Sequence, residues 1–192
     1  NHRLKERETH MIRRYLLSLT GAVALLGTAA FAKNPMVGGQ QMFPTKNIIE
    51  NAANSVDHTT LVAAVKAAGL VDTLQSAGPF TVFAPVNSAF AKLPAGAVET
   101  LLKPENKETL VKVLTYHVVA GKMSSADLKK QIKMGRGKAM LKTVAGGSLW
   151  AMMQGNDIVL KDEKGGMAKI SQANVFQSNG VIHVLDTVVL PK

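Results

Sequence analysis

The chain contains no cysteine. That excludes a disulfide framework, every thiolate metal site and a lipid anchor on an acylated cysteine. Aromatics are scarce, with one Trp, two Tyr and six Phe, and Arg136 is the only arginine after residue 32. Nucleic-acid readers rely on forked arginine contacts and stacked rings, so that class is set aside although the formal charge is +10. No G-x-S-x-G elbow is available to a serine nucleophile. No H-x-H or H-E-x-x-H spacing gathers His58, His117 and His183 into a metal site. The glycines fall singly or in pairs at turns and form no phosphate-cradling loop. The sequence therefore points to no catalytic residue, no cofactor and no metal.

What is present describes an exported single domain. Composition is globular, with 46% apolar and 19% charged residues. Residues 1–10 (NHRLKERETH) are read as an upstream extension or an expression remnant. Residues 11–32 follow the pattern of a signal peptide, with Arg13 and Arg14, an apolar stretch from Tyr15 to Leu26, and Ala30-Phe31-Ala32 as cleavage site. Ser18, Thr20, Gly21, Gly27 and Thr28 interrupt that stretch, which argues against a retained spanning helix. Five of the 23 basic and two of the 13 acidic residues fall in 1–32, which leaves the remainder at +7. Such a surplus favours solubility and attraction to anionic polymers. Export implies a periplasmic or secreted protein.

Residues 33–44, mixing Pro and Gly, are expected to be a linker. Asp57 is placed to cap a helix carrying Leu61, Val62, Val65 and Ala68, which Gly69 ends. Gly78-Pro79 opens the strand Phe80–Ala84, apolar on both faces as a strand covered on both sides would be. Asn87 is placed to cap a helix starting at Ser88. Further helices are predicted around 97–102 and 107–116. Ser124 with Asp127 matches a capping box and opens a helix that Gly135 ends. From Lys138 onward the texture changes to short strands split by turn signals, the last running from Gly180 to Leu190. Helices first and strands last indicate an α+β fold with a mostly antiparallel sheet.

Two segments carry a family resemblance: TVFAPVNSAF (81–90) and NGVIHVLDTVVLP (179–191), with TYHVVAGKM (115–123) between them. In order and separation they resemble the hallmark segments of the fasciclin domain, over residues 45–191. Val86 stands where Thr or Ser is usual. The resemblance implies a wedge with an antiparallel β-sandwich-like core and short helices along one side. It also implies a non-catalytic adhesion or binding module that contacts an envelope or extracellular protein or an anionic polysaccharide. The alternative is a structural or signalling envelope protein recognised by a protein partner, with an enzyme a distant third.

Five residues are candidates for partner binding: Tyr116, His117, Lys129, Lys133 and Arg136. His117 continues the helical stripe Leu110, Val113, Leu114, which favours a buried structural role. Tyr116 lies off that stripe and is expected to show its hydroxyl at the surface. The resemblance implies that adhesive contacts lie near this tyrosine-histidine segment. Lys129, Lys133 and Arg136 recur at i, i+4 and i+7, and are expected to align on the water-facing side of one helix, opposite Leu128 and Ile132. His183 and Asp186, three apart on a strand, point to opposite faces and are not expected to form a dyad. Asp186 is expected to be buried against backbone N–H groups.

Overall fold

The computed structural model describes residues 34–192. A short ribbon comes first, β1 (Met36–Val37) against β2 (Gln40–Gln41). Here the expectation of a linker is corrected: Val37 and Met42 are buried in the core. A helical half follows: α1 (Ile48–Asn54), a 3₁₀ turn (Val56–His58), α2 (Thr59–Ala68) and α3 (Val71–Gln75). Then come β3 (Phe80–Pro85), α4 (Asn87–Ala91), α5 (Ala97–Leu101), a 3₁₀ turn (Pro104–Asn106) and α6 (Lys107–Tyr116). After β4 (Val118–Ala120) and α7 (Ser125–Met134) the chain is all strand. These strands are β5 (Lys138–Lys142), β6 (Ser148–Gln154), β7 (Asp157–Lys161), β8 (Met167–Gln177) and β9 (Gly180–Leu185).

Seven strands form one sheet in the order β4-β3-β9-β8-β7-β6-β5. Every neighbouring pair is antiparallel except β3 with β9, which run parallel. The sheet curls until its ends almost meet. Val119 bridges Thr143 just beyond β5, and the N–H of Val144 donates to the carbonyl of Val118 at 2.8 Å. Register shifts in β8 between Ile170 and Val175 mark where the sheet bends, as bulges do. The expected long last strand is shorter than predicted, because ladder pairing stops at Leu185.

β3 and β9 divide the interior in two. Val82, Ala84, Ile182 and Val184 face the helices and pack with Ile48, Leu61, Val65 and Leu114. Phe83 and Leu185 point the other way, into a second cluster inside the curl with Leu141, Leu149, Leu160 and Ile170. This is why both strands read as unbroken apolar runs: each face meets its own core. α7 lays Leu128 and Ile132 against the second cluster. Each such fully buried side chain contributes about 1.5–3 kcal/mol.

Helix starts follow local chemistry, with two corrections. Ser124 Oγ accepts the Asp127 N–H at 3.2 Å while Asp127 Oδ2 accepts the Ser124 N–H at 2.9 Å, the predicted capping box. Asp57, however, sits inside the 3₁₀ turn and makes no cap bond to α2. Asn87 lies within the first turn of α4 rather than before it, and caps α2 instead. Its Oδ1 accepts the N–H of Thr60 at 3.0 Å, and its Nδ2 donates to the carbonyl of Val56 at 3.0 Å. The 3₁₀ turn displaced the start of α2 to Thr59, beyond the reach of Asp57.

Candidate functional site

The tyrosine-histidine segment lies at the end of α6, where the chain crosses from the helical layer to the sheet. Leu110, Val113 and Leu114 belong to the helix-side core, whereas Tyr116 enters the sheet interior. Tyr116 is fully buried, which corrects the expectation of a surface hydroxyl. That hydroxyl donates to the Ser148 carbonyl at 2.6 Å and accepts the Glu163 N–H at 3.1 Å. Burial, foremost, pushes the phenol up to about 12, with Glu163 and Asp162 nearby adding to the rise. Tyr116 lies off the stripe that faces the helix-side core. The second core lies on the other side of the helix end.

His117 is buried as expected. Its Nδ1 lies 2.8 Å from the Val113 carbonyl, so it carries the proton, and its Nε2 accepts the Val189 N–H at 3.2 Å. Both ring nitrogens are satisfied only in the neutral form, and burial holds the imidazole down at about 4. His183 takes the opposite tautomer. Nε2 donates to the Met123 carbonyl at 2.8 Å, Nδ1 accepts the Asn174 N–H at 3.3 Å, and the ring stacks on Phe83 with centroids 5.7 Å apart. Asp186 points away from it and accepts the Lys169 N–H at 2.9 Å. The backbone bond was foreseen, but Asp186 is half-buried rather than buried. No dyad forms.

Among the described residues no three His, Asp or Glu side chains converge as metal ligands. An apolar cavity of about 50 Å³ lies between the helices and β3–β9, bordered by His58 and His117, and no charged side chain lines it. His58 is buried and bonded through Nδ1 to Ser55 Oγ at 2.8 Å, and its Nε2 has no partner among the described residues.

The cationic candidates are at the surface. Lys129 and Lys133 stack one turn apart on the exposed side of α7, with Leu128 and Ile132 buried beneath. Arg136 is not aligned with them, contrary to expectation. The helix ends at Met134, Gly135 caps it, and Arg136 adopts a left-handed φ of 55° in the turn that leads into β5. The helix stops at Gly135 as its sequence predicts, and Arg136 lies one residue beyond that stop. Asn87 sits at a predicted helix cap and Asn179 just before the last strand. Both bind backbone groups of distant segments, a role for which the sequence carries no spacing signal.

The fasciclin domain model matches residues 56–191. Protein sll1483 of Synechocystis is 44% identical over 180 residues, spanning 91% of this chain and 93% of its own. Immunogenic protein MPT70 of Mycobacterium tuberculosis is 37% identical over 145 residues, spanning 73% of this chain and 66% of its own. Among solved structures, a FAS1 domain pair from the insect cell adhesion molecule fasciclin I superposes with a TM-score of 0.69 at 19% identity, covering 77% of this chain and 51% of that one. The chain belongs to the fasciclin domain family, whose members are cell-adhesion-related modules. Among the described residues no helix is long and apolar enough to cross a membrane. The proposed leader and its cleavage site lie outside the described residues.

Proposed function

We propose that the chain is an exported, non-catalytic adhesion-type module that contacts an acidic partner of the envelope or matrix, foremost an anionic polysaccharide, through the exposed side of α7. The observation that carries this reading is the pair Lys129 and Lys133. Both are exposed, one turn apart, with no carboxylate in ion-pair range among the described residues. Asp127, the acid of that helix, is committed to the capping box. Lys130 and Arg136, also exposed, extend the positive field. Neighbouring cations meeting a polyanion release counterions together, which gives a steep dependence on salt. The buried state of Tyr116 supports the helix over the tyrosine-histidine segment as the point of contact.

The test is binding of polygalacturonate by calorimetry. Weak binding that falls steeply with added salt is expected. Lys129→Glu with Lys133→Glu is expected to abolish it while the fold stays intact, since exposed substitutions usually shift stability by under about 0.5 kcal/mol each. Binding that ignores both salt and charge reversal would refute the reading.

A further inference from the structure

The outward face of β5–β8 does not carry what an exposed sheet face usually carries. Inward residues alternate cleanly: Ala139 and Leu141, Leu149 and Ala151, Ile158 and Leu160, Ala168 and Ile170 all belong to the sheet-interior core. Their neighbours point outward, and register aligns them in rows. One row runs Met140, Trp150, Lys161, Met167 across the four strands. The row beside it runs Lys138, Met152, Val159, Lys169, of which Val159 is buried. A water-facing antiparallel sheet normally places polar side chains there. Met140 is instead 66% exposed and Met167 46%, with Trp150 and Met152 half-buried beside them. Lys138, Lys142, Lys161 and Lys169 stand on the same face, all exposed. The Lys138 ammonium lies 4.9 Å from the centre of the Trp150 ring. Asp157, the carboxylate on these outward positions, is engaged by Lys169 at 2.7 Å.

We infer that this face seats the domain on an anionic lipid surface, with Met140, Trp150 and Met167 entering the headgroup layer and the lysines meeting its phosphates. The proposal goes beyond the polymer contact at α7 and uses a different surface. Three occupants compete, and the chemistry separates them. A neutral or hydroxyl-rich glycan needs several forked polar side chains together, and the outward positions here offer Gln154 at the end of β6, the engaged Asp157 beside it, and Ser148 and Ser171. A second copy docked on the same face would bring lysines against lysines, which like-charge repulsion opposes. A lipid headgroup layer asks for flexible apolar side chains, an interfacial indole, and long-stemmed cations that reach the phosphates, and all three are in place.

Trp150 is the only tryptophan in the chain, so its emission reports on this face alone. That specificity matters because the apolar stretch within residues 15–32 can itself tether a full-length chain to lipid. The full chain is mixed with vesicles of phosphatidylglycerol and phosphatidylcholine in equal parts, or of phosphatidylcholine alone. A blue shift of Trp150 and quenching by lipids brominated on the acyl chain near the headgroup are expected on the anionic vesicles only, and salt of about 1 M should reverse them. Met140→Ser with Met167→Ser is expected to weaken the partitioning read at Trp150 by about tenfold or more. Both positions are exposed, and circular dichroism checks that the variant is folded. Four results would overturn the proposal: no emission change on anionic vesicles at low salt, an equal change on phosphatidylcholine, a change produced by polygalacturonate but not by lipid, or a shift that follows protein concentration without lipid. Loss of vesicle binding in the Lys129→Glu, Lys133→Glu variant, with none in the methionine variant, would also overturn it and move the contact to α7.

Discussion

The side chain of Asn179 holds the backbone of Ile48, 131 residues earlier in the chain: its Oδ1 accepts the Ile48 N–H at 3.0 Å in a buried setting. Its Nδ2 donates to the carbonyls of Leu74 and Ser76, at 2.7 and 2.8 Å. One amide thus ties the start of α1 and the end of α3 to the β8–β9 turn. Asn179→Ala is expected to cost about 2–4 kcal/mol, because buried groups on two helices lose their partner together. Denaturant unfolding measures it as a lower midpoint at unchanged slope. Gly180 beside it tolerates no side chain, since a Cβ there would run into the Phe80 carbonyl.

Acid should weaken the fold between about pH 6.5 and pH 4. Burial holds His117 down at about 4 in the folded state, against 6.5 when free. Above pH 6.5 both states are neutral and the group has no effect. As pH falls from there, the unfolded chain takes up a proton that the folded chain refuses, so stability is lost until the folded state also protonates near pH 4. The loss attributable to His117 is about 3 kcal/mol. His58 and His183 are shifted down by burial as well and act in the same direction. Unfolding free energies measured from pH 7 to pH 4.5 are expected to fall less steeply in His117→Gln, which keeps polar groups at the site without titrating. Equal slopes in the two proteins would contradict the buried neutral assignment.

Tyr116→Phe removes a hydroxyl that serves the Ser148 carbonyl and the Glu163 N–H together. The expected cost is about 1–3 kcal/mol, read as a lower melting temperature. Polygalacturonate binding by the folded variant is expected to be unchanged. A variant of full stability that no longer binds would make Tyr116 a contact residue after all.

Local signals in this chain proved accurate where they depend on near neighbours. The Ser124–Asp127 box, the end of α2 at Gly69 and the two-sided strand predicted over Phe80–Ala84 need only a few consecutive residues to be specified. The failures share one cause. The positions of Tyr116, Asp57, Asn87 and Arg136 do not follow from their own helix: each is settled by a distant segment or by the point where a helix meets a turn. Segment 33–44 fails the same way, since Val37 and Met42 find their core only once α1 and β9 are in place.

The family, the alternation of strands after Lys138 and the lysine-rich side of α7 are legible in the chain as written, because motif order, period and charge are properties of the sequence. Tertiary structure alone decided that there are two cores and that Tyr116 and His117 enter different ones. It also decided that Met140, Trp150 and Met167 form a row. Rows across strands depend on register and on the curl of the sheet, which are set by pairings between residues far apart in the chain.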